Sequence, residues 1–245
     1  MEAPTQMKKL SFPLLALAVL ALCTSALAYE GAPVSNGGTI SGTVKYDGTA
    51  PKPKPIEVSK DKEVCGLKPH FEQDLVVGDG GGIQYAVVSI PDIPKGAPLK
   101  ADDAVKFDQK GCQYEPHVLA FPAGSTITVI NSDGILHNIH TYSTKNPSVN
   151  MAQPKFKKEI KVTEKDPELV KVTCDAHGWM SGWWYVAGNP YYAVTDDKGS
   201  FTLKDVPPGD YTLKVWQEKL GEDTQKVTVK SGATANVTFT LKPKS

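Results

Sequence analysis

The chain contains no arginine; all 27 of its basic residues are lysine. An ammonium group cannot make the planar, two-pronged contact that a guanidinium makes with a phosphate or a guanine edge. The 27 acidic residues leave a formal net charge of zero, and no basic stripe is interleaved with aromatics, so nucleic acid is not an expected partner. Histidine is limited to five residues, too few for a large imidazole-rich metal cluster. The catalytic motifs that sequence can reveal are also missing. There is no His-Glu-x-x-His and no supported Ser/His/Asp grouping, and Gly78 to Gly82 lacks the Lys-Ser/Thr of a phosphate-binding loop. The expected role is therefore not that of an enzyme.

Long apolar runs are scarce as well. The run from Phe12 to Leu22 is too short to cross a bilayer. It follows Lys8-Lys9 and precedes the small-residue signal Ala26-Leu27-Ala28. That layout is a secretory signal peptide over residues 1–28, cleaved after Ala28, with a periplasmic or secreted destination. Cys23 is preceded by Leu22, too bulky for a lipoprotein site. No later segment reads as membrane-spanning. Three cysteines follow the leader: Cys65, Cys112 and Cys174. An exported chain can keep a disulfide, and an odd count leaves one thiol over. Cys174 has His and Met close by, which makes Cys65–Cys112 the natural bridge.

What the chain has in quantity is β-strand signal. Gly38–Tyr46 alternates, and Ile83–Ile90 is β-branched and bounded by Gly and Pro. Segments 117–121, 126–130, 169–173 and 182–186 follow, with no helix longer than a turn or two, so the fold class is all-β. Pro51–Pro55 alternates Pro and Lys and reads as an extended surface connection. Beyond residue 190, Tyr192–Thr195 and Ser200–Leu203 flank the hairpin turn Asp196–Gly199. Asp205-Val-Pro-Pro-Gly209 and Tyr211–Trp216 come next, then segments 225–229 and 235–241. This run resembles the carboxypeptidase regulatory-like domain, which implies a small transthyretin-like β-sandwich over 191–245. Such domains open with a strand like Ile40–Val44 and an Asp-Gly turn. The resemblance therefore allows the strand at 38–48 to complete that sandwich, with the region 29–190 in part inserted into it.

Two segments carry the chemistry. Cys174-Asp-Ala-His177-Gly-Trp-Met180 puts a thiolate, an imidazole and a thioether in one short turn after a strand. Asn131-Ser-Asp-Gly134 is a turn that leads to His137-Asn-Ile-His140. Two His, one Cys and a weak axial Met form the trigonal ligand field of a blue copper site, in which little rearrangement accompanies electron transfer. After the leader only Met151 and Met180 remain, and one of them falls in this turn.

Here the chain resembles the cupredoxins, and among them the amicyanins, which share the Cys-x-x-His-x-x-Met spacing and a His-Asn-Val-His stretch like residues 137–140. The resemblance covers Tyr114 to Val186 and not Asn36 to Cys112. It implies a Greek-key β-sandwich and one type 1 copper ion held by His137, Cys174, His177 and Met180. It also implies single-electron transfer with redox proteins such as a c-type cytochrome or a dehydrogenase; the residues leave open a second role, an exported β-sandwich that holds copper without redox work or binds carbohydrate or protein. His140, three residues from His137, points to the other face of a strand, and His137 holds the family position. His117 reads as structural and His70 as a surface residue. In the family, the residue at Asn138 ties the loops beside the Cys ligand. Asp175 and Gly178 stand where such loops often carry Pro or an apolar residue. Trp179 reads either as part of an exposed apolar docking patch around His177 or as packed over the C-terminal module.

Overall fold

The computed structural model describes residues 29–243; the leader, its cleavage site and Cys23 lie outside the described residues. Strands dominate. In chain order we label β1 (Gly38–Tyr46), β2 (Val87–Ser89), β3 (Val105–Lys110), β4 (Gln113–Glu115), β5 (Val118–Pro122), β6 (Thr126–Asn131), β7 (His137–Tyr142) and β8 (Asn150–Gln153). There follow β9 (Glu159–Thr163), β10 (Glu168–Thr173), β11 (Ser181–Ala187), β12 (Tyr192–Val194), β13 (Ser200–Val206), β14 (Gly209–Gln217), β15 (Gly221–Val229) and β16 (Thr234–Leu241). Three pairs of two-residue strands, the α-helical turn Lys62–Cys65 and a short 3₁₀ turn complete the described elements. The all-β expectation holds.

Two sandwiches form, each with its own buried core. In the first, the sheet β4-β3-β6-β9 faces the sheet β5-β11-β10-β7-β8. Parallel pairings of β3 with β6 and of β5 with β11 show the crossovers of a Greek-key arrangement. The side-chain period of two builds the core directly: β6 and β9 alternate buried and accessible residues along their length. Between the sheets, Phe107 stacks on Tyr114 at 4.8 Å, and Trp184 meets the edges of Phe107 and Phe121 at 5.5 and 6.0 Å. Trp183, on the opposite face of the same strand, leaves this core and packs on Trp216 of the second sandwich at 5.0 Å.

The second sandwich takes strands from both sides of the first. Its sheets are β12-β2-β14-β15 and β13-β1-β16. β1 pairs with β13 and with β16, the last strand of the chain, while β2 pairs with β12 and β14. Residues 105–187, which form the first sandwich, thus enter the sequence between β2 and β12. The strand pairing therefore does not follow a division at residue 190. Ile40, Val44, Val88, Leu213, Val215 and Phe239 lie in the shared core. At the hairpin before β13, Gly199 has φ 73°, and an added Cβ would fall 2.3 Å from the Val44 carbonyl oxygen. Only glycine fits there.

One strand expected to be continuous is broken. Residues 83–90 divide into Ile83–Gln84 and β2, with Tyr85 at φ 64° between them. Among the described residues no helix is long and apolar enough to cross a membrane.

Candidate metal centre

β7 starts at His137, and β10 runs into the loop that holds Cys174 and His177 before β11 begins. Because β7 and β10 are antiparallel neighbours, with His140 opposite Thr173, the start of one lies beside the end of the other. The Cys174 amide donates to the Met180 carbonyl at 3.2 Å, and the Met180 amide to the His177 carbonyl at 2.9 Å. These bonds fold the loop back on itself. The structure brings His137, Cys174 and His177 together: all three are buried, with their Nδ1, Sγ and Nδ1 atoms facing one another.

The spacing suits a metal ion. The two Nδ1 atoms are 3.0 Å apart, and Cys174 Sγ is 4.0 Å from that of His137 and 3.8 Å from that of His177. A point in their plane equidistant from all three lies about 2.1 Å from each, close to ordinary metal–nitrogen and metal–thiolate bond lengths.

The hydrogen bonding makes the same point. His137 Nε2 meets Asp133 Oδ2 and His177 Nε2 meets Asp61 Oδ2, each at 2.8 Å. A carboxylate only accepts, so each Nε2 donates to its Asp and each ring turns its Nδ1 inward. Two lone pairs at 3.0 Å repel unless a cation or a proton sits between them. This donor set, two imidazoles and a thiolate, fits a copper ion.

The charges around the group favour that arrangement. Burial alone would raise the Cys174 thiol, yet hydrogen bonds from His137 and the amides of Asn138, His177 and Ala176 hold it below its usual value. Burial likewise opposes charge on His137, but Asp133 and Cys174 overcome it and raise His137 to about 9. At His177 burial prevails over the pull of Asp61 and, with His137 nearby, pushes the ring down. Thiolate character at Cys174 and a neutral His177 are the forms that ligate a metal.

Met180 is buried in the same core as Cys174. Asn138 ties the loops: its amide donates to Cys174 Sγ at 3.4 Å, its Oδ1 accepts from the Asp175 amide, and its Nδ2 donates to Asn150 Oδ1 at 2.8 Å. His140 stays outside the group, stacked on Tyr142 at 4.5 Å with Nδ1 3.0 Å from Asp175. His117 bonds Glu218 of the second sandwich at 2.8 Å.

Three expectations need correcting. His70 is not a surface residue; it is buried, with Nε2 2.6 Å from the Cys65 carbonyl oxygen. His177 does not sit in an exposed patch, because Asp61 covers its outer edge. Trp179 is half-buried on the core of the first sandwich and not over the second: its ring lies 5.1 Å from that of His177, and its N–H donates to the Cys112 carbonyl. Cys65 and Cys112 form the disulfide, and Cys174 is free. A second His/Cys/Asp cluster, Cys112, Asp133 and His137, has no thiolate to offer because Cys112 is bridged.

Sequence reasoning missed Asp61 and Asp133. Asp133 stands within the turn before His137, and its spacing of four residues is the available signal. Asp61 is 116 residues from His177, and nothing local marks it.

Comparison with known proteins adds partial likenesses. A family model described as polysaccharide lyase family 4, domain II, matches residues 169–237, a stretch that takes in strands of both sandwiches. No curated protein sequence matches. Among solved structures, a purple cupredoxin from Nitrosopumilus maritimus is 20% identical with a TM-score of 0.30, over 34% of this chain and 99% of that one. A mutant amicyanin with Cu(I) is 23% identical with a TM-score of 0.32, over 36% of this chain and 86% of its own. A Cu-containing nitrite reductase from Thermus scotoductus SA-01 is 22% identical with a TM-score of 0.30, over 34% of this chain and 22% of that protein.

Proposed function

We propose that this chain is an exported type 1 copper protein that carries single electrons between redox proteins and is not itself a catalyst. One observation carries the reading: two imidazoles aim their Nδ1 atoms at each other and at a buried cysteine sulfur, at spacings that a single ion would satisfy. His137, Cys174 and His177 would form the trigonal set, with Met180 as the weak axial ligand. When bound, copper supplies the exchangeable electron. The protein side chains orient the donors, exclude water and favour the ionised sulfur. The pattern favours copper over zinc, because structural zinc sites take four strong ligands and a thioether is a poor fourth. The signal-peptide layout supports export, and the odd cysteine with His neighbours supports its use as a ligand.

Adding Cu(II) to purified apoprotein tests this. The expected result is an intense visible thiolate-to-copper charge-transfer band, absent in Cys174→Ser, together with reversible voltammetry. Met180→Leu should keep the colour and raise the reduction potential, as loss of a weak axial ligand does. A colourless protein that binds only Cu(I) would instead identify a copper store or chaperone.

A further inference from the structure

We propose that Asp61 is a positioning residue for His177, held on it by the Cys65–Cys112 disulfide, and that its carboxylate tunes the copper centre toward the oxidised state. The inference rests on the copper reading above, and its test separates the two.

Asp61 occupies the residue before the helical turn Lys62–Cys65, where an Asp side chain ordinarily accepts a backbone N–H and caps the helix. Here it makes no such bond; its carboxylate turns to His177 Nε2 instead. Its backbone adopts φ 50° and ψ 44°, a left-handed conformation that a side chain other than glycine enters at some energetic cost. A residue that forgoes its cap in a sparsely populated conformation is held there by its surroundings, a pattern that clusters at functional sites.

The hold can be traced. The Asp61 carbonyl accepts from the Cys65 amide at 2.8 Å, and Cys65 is bridged to Cys112. The Cys112 amide donates to Asp133 Oδ2 at 2.8 Å, the same oxygen that meets His137 Nε2. One brace, a disulfide with a hydrogen bond at each end, therefore links the segment that carries the carboxylate behind one imidazole to the carboxylate behind the other. Neighbouring contacts fasten the same segment: Lys60 Nζ reaches the Ala176 carbonyl in the ligand loop at 3.3 Å, and Trp179 bonds the Cys112 carbonyl. His177 is fully buried beneath Asp61, whose side chain is 30% exposed, so the carboxylate forms the outer wall of the site.

The chemical consequence follows from the proton. An imidazole that donates its N–H to a carboxylate is a stronger base at its other nitrogen, and such partners typically change metal affinity about 10- to 100-fold. A more basic, more negative donor set stabilises Cu(II) over Cu(I). Asp61→Asn keeps the side chain's size and its accepting oxygen but removes the charge. It should weaken Cu(II) binding about 10-fold relative to Cu(I), which for a one-electron couple raises the potential by about 59 mV.

The experiment measures the Cu(I)/Cu(II) potential and Cu(II) affinity of the full processed chain, its Asp61→Asn variant and its Cys65→Ser/Cys112→Ser variant. Support is a higher potential in Asp61→Asn with the charge-transfer band retained. The disulfide variant should shift in the same direction, and combining it with Asp61→Asn should add little, because the bridge acts through the carboxylate. An unchanged potential in Asp61→Asn with the band intact overturns the proposal while leaving the copper reading standing. A parent protein that shows no band overturns both. Where the cysteine variants do not fold, Asp61→Asn alone decides.

Discussion

Glu164 shows how much one side chain's surroundings can set its chemistry. It is fully buried, and neither carboxylate oxygen has a hydrogen-bond partner in the protein. Burial and the charge of Glu168 push it up to about 7 from an ordinary 4.5. The acid is thus neutral in the fold where the unfolded chain has already ionised. Unfolding releases a proton between pH 4.5 and 7, so stability falls as pH rises through that window and stays lower above it. Glu164→Gln should therefore melt at a higher temperature than the parent at about pH 8 and lose that advantage at about pH 4. The raised acid costs the parent on the order of 1–3 kcal/mol at about pH 8, and each kcal/mol is worth about 2–4 °C in a chain of this size. Melting curves in the two buffers check the sign. At the same scale, the ligand candidates were legible because their spacing is local: Cys174, His177 and Met180 share one turn. Asp61 was not, since an isolated acidic residue before a short helix reads as a cap until the fold places His177 beside it.

At the scale of elements, alternation revealed most strands, and β1, β6 and β10 appear almost where their patterns put them. β3 and β8 escaped notice because Val105-Lys-Phe-Asp-Gln-Lys and Asn150-Met-Ala-Gln carry too few β-branched residues to stand out. Tyr85 broke a run that looked continuous, since a positive φ has no compositional mark in Gln84-Tyr85-Ala86. The pairing of the cysteines was readable from their odd number, but its purpose was not. The bridge closes a separation of 47 residues, for which loop-closure entropy predicts about 4 kcal/mol of stabilisation. Cys65→Ser/Cys112→Ser should therefore lower the free energy of unfolding by about 2–4 kcal/mol. Denaturant titration measures it, and a loss near zero would mean the unfolded chain already keeps these ends together.

At the scale of the molecule, the two sandwiches meet through Trp183 on Trp216 and His117 on Glu218. A cavity of about 830 Å³ between them is lined by Tyr185, Glu168, Lys214 and Trp216, away from the His/Cys group. The strand at 38–46 carried a hint of the nesting, because it has the opening pattern expected of the C-terminal module. The part of Val87–Ser89 was hidden, for a three-residue buried strand gives no sign of which sheet it will join.

That nesting makes the first sandwich a graft with neighbouring roots. Ile90 donates its amide to the Tyr191 carbonyl at 3.0 Å, and Ser89 lies opposite Tyr192. The two points where the polypeptide leaves and returns are thus already stitched. Splicing a short turn in place of residues 91–190 would take only Ile93 from the buried core of the remaining unit. The trimmed chain should still unfold cooperatively by circular dichroism and take up no copper; failure to fold would show that the excised half acts as a scaffold for its host.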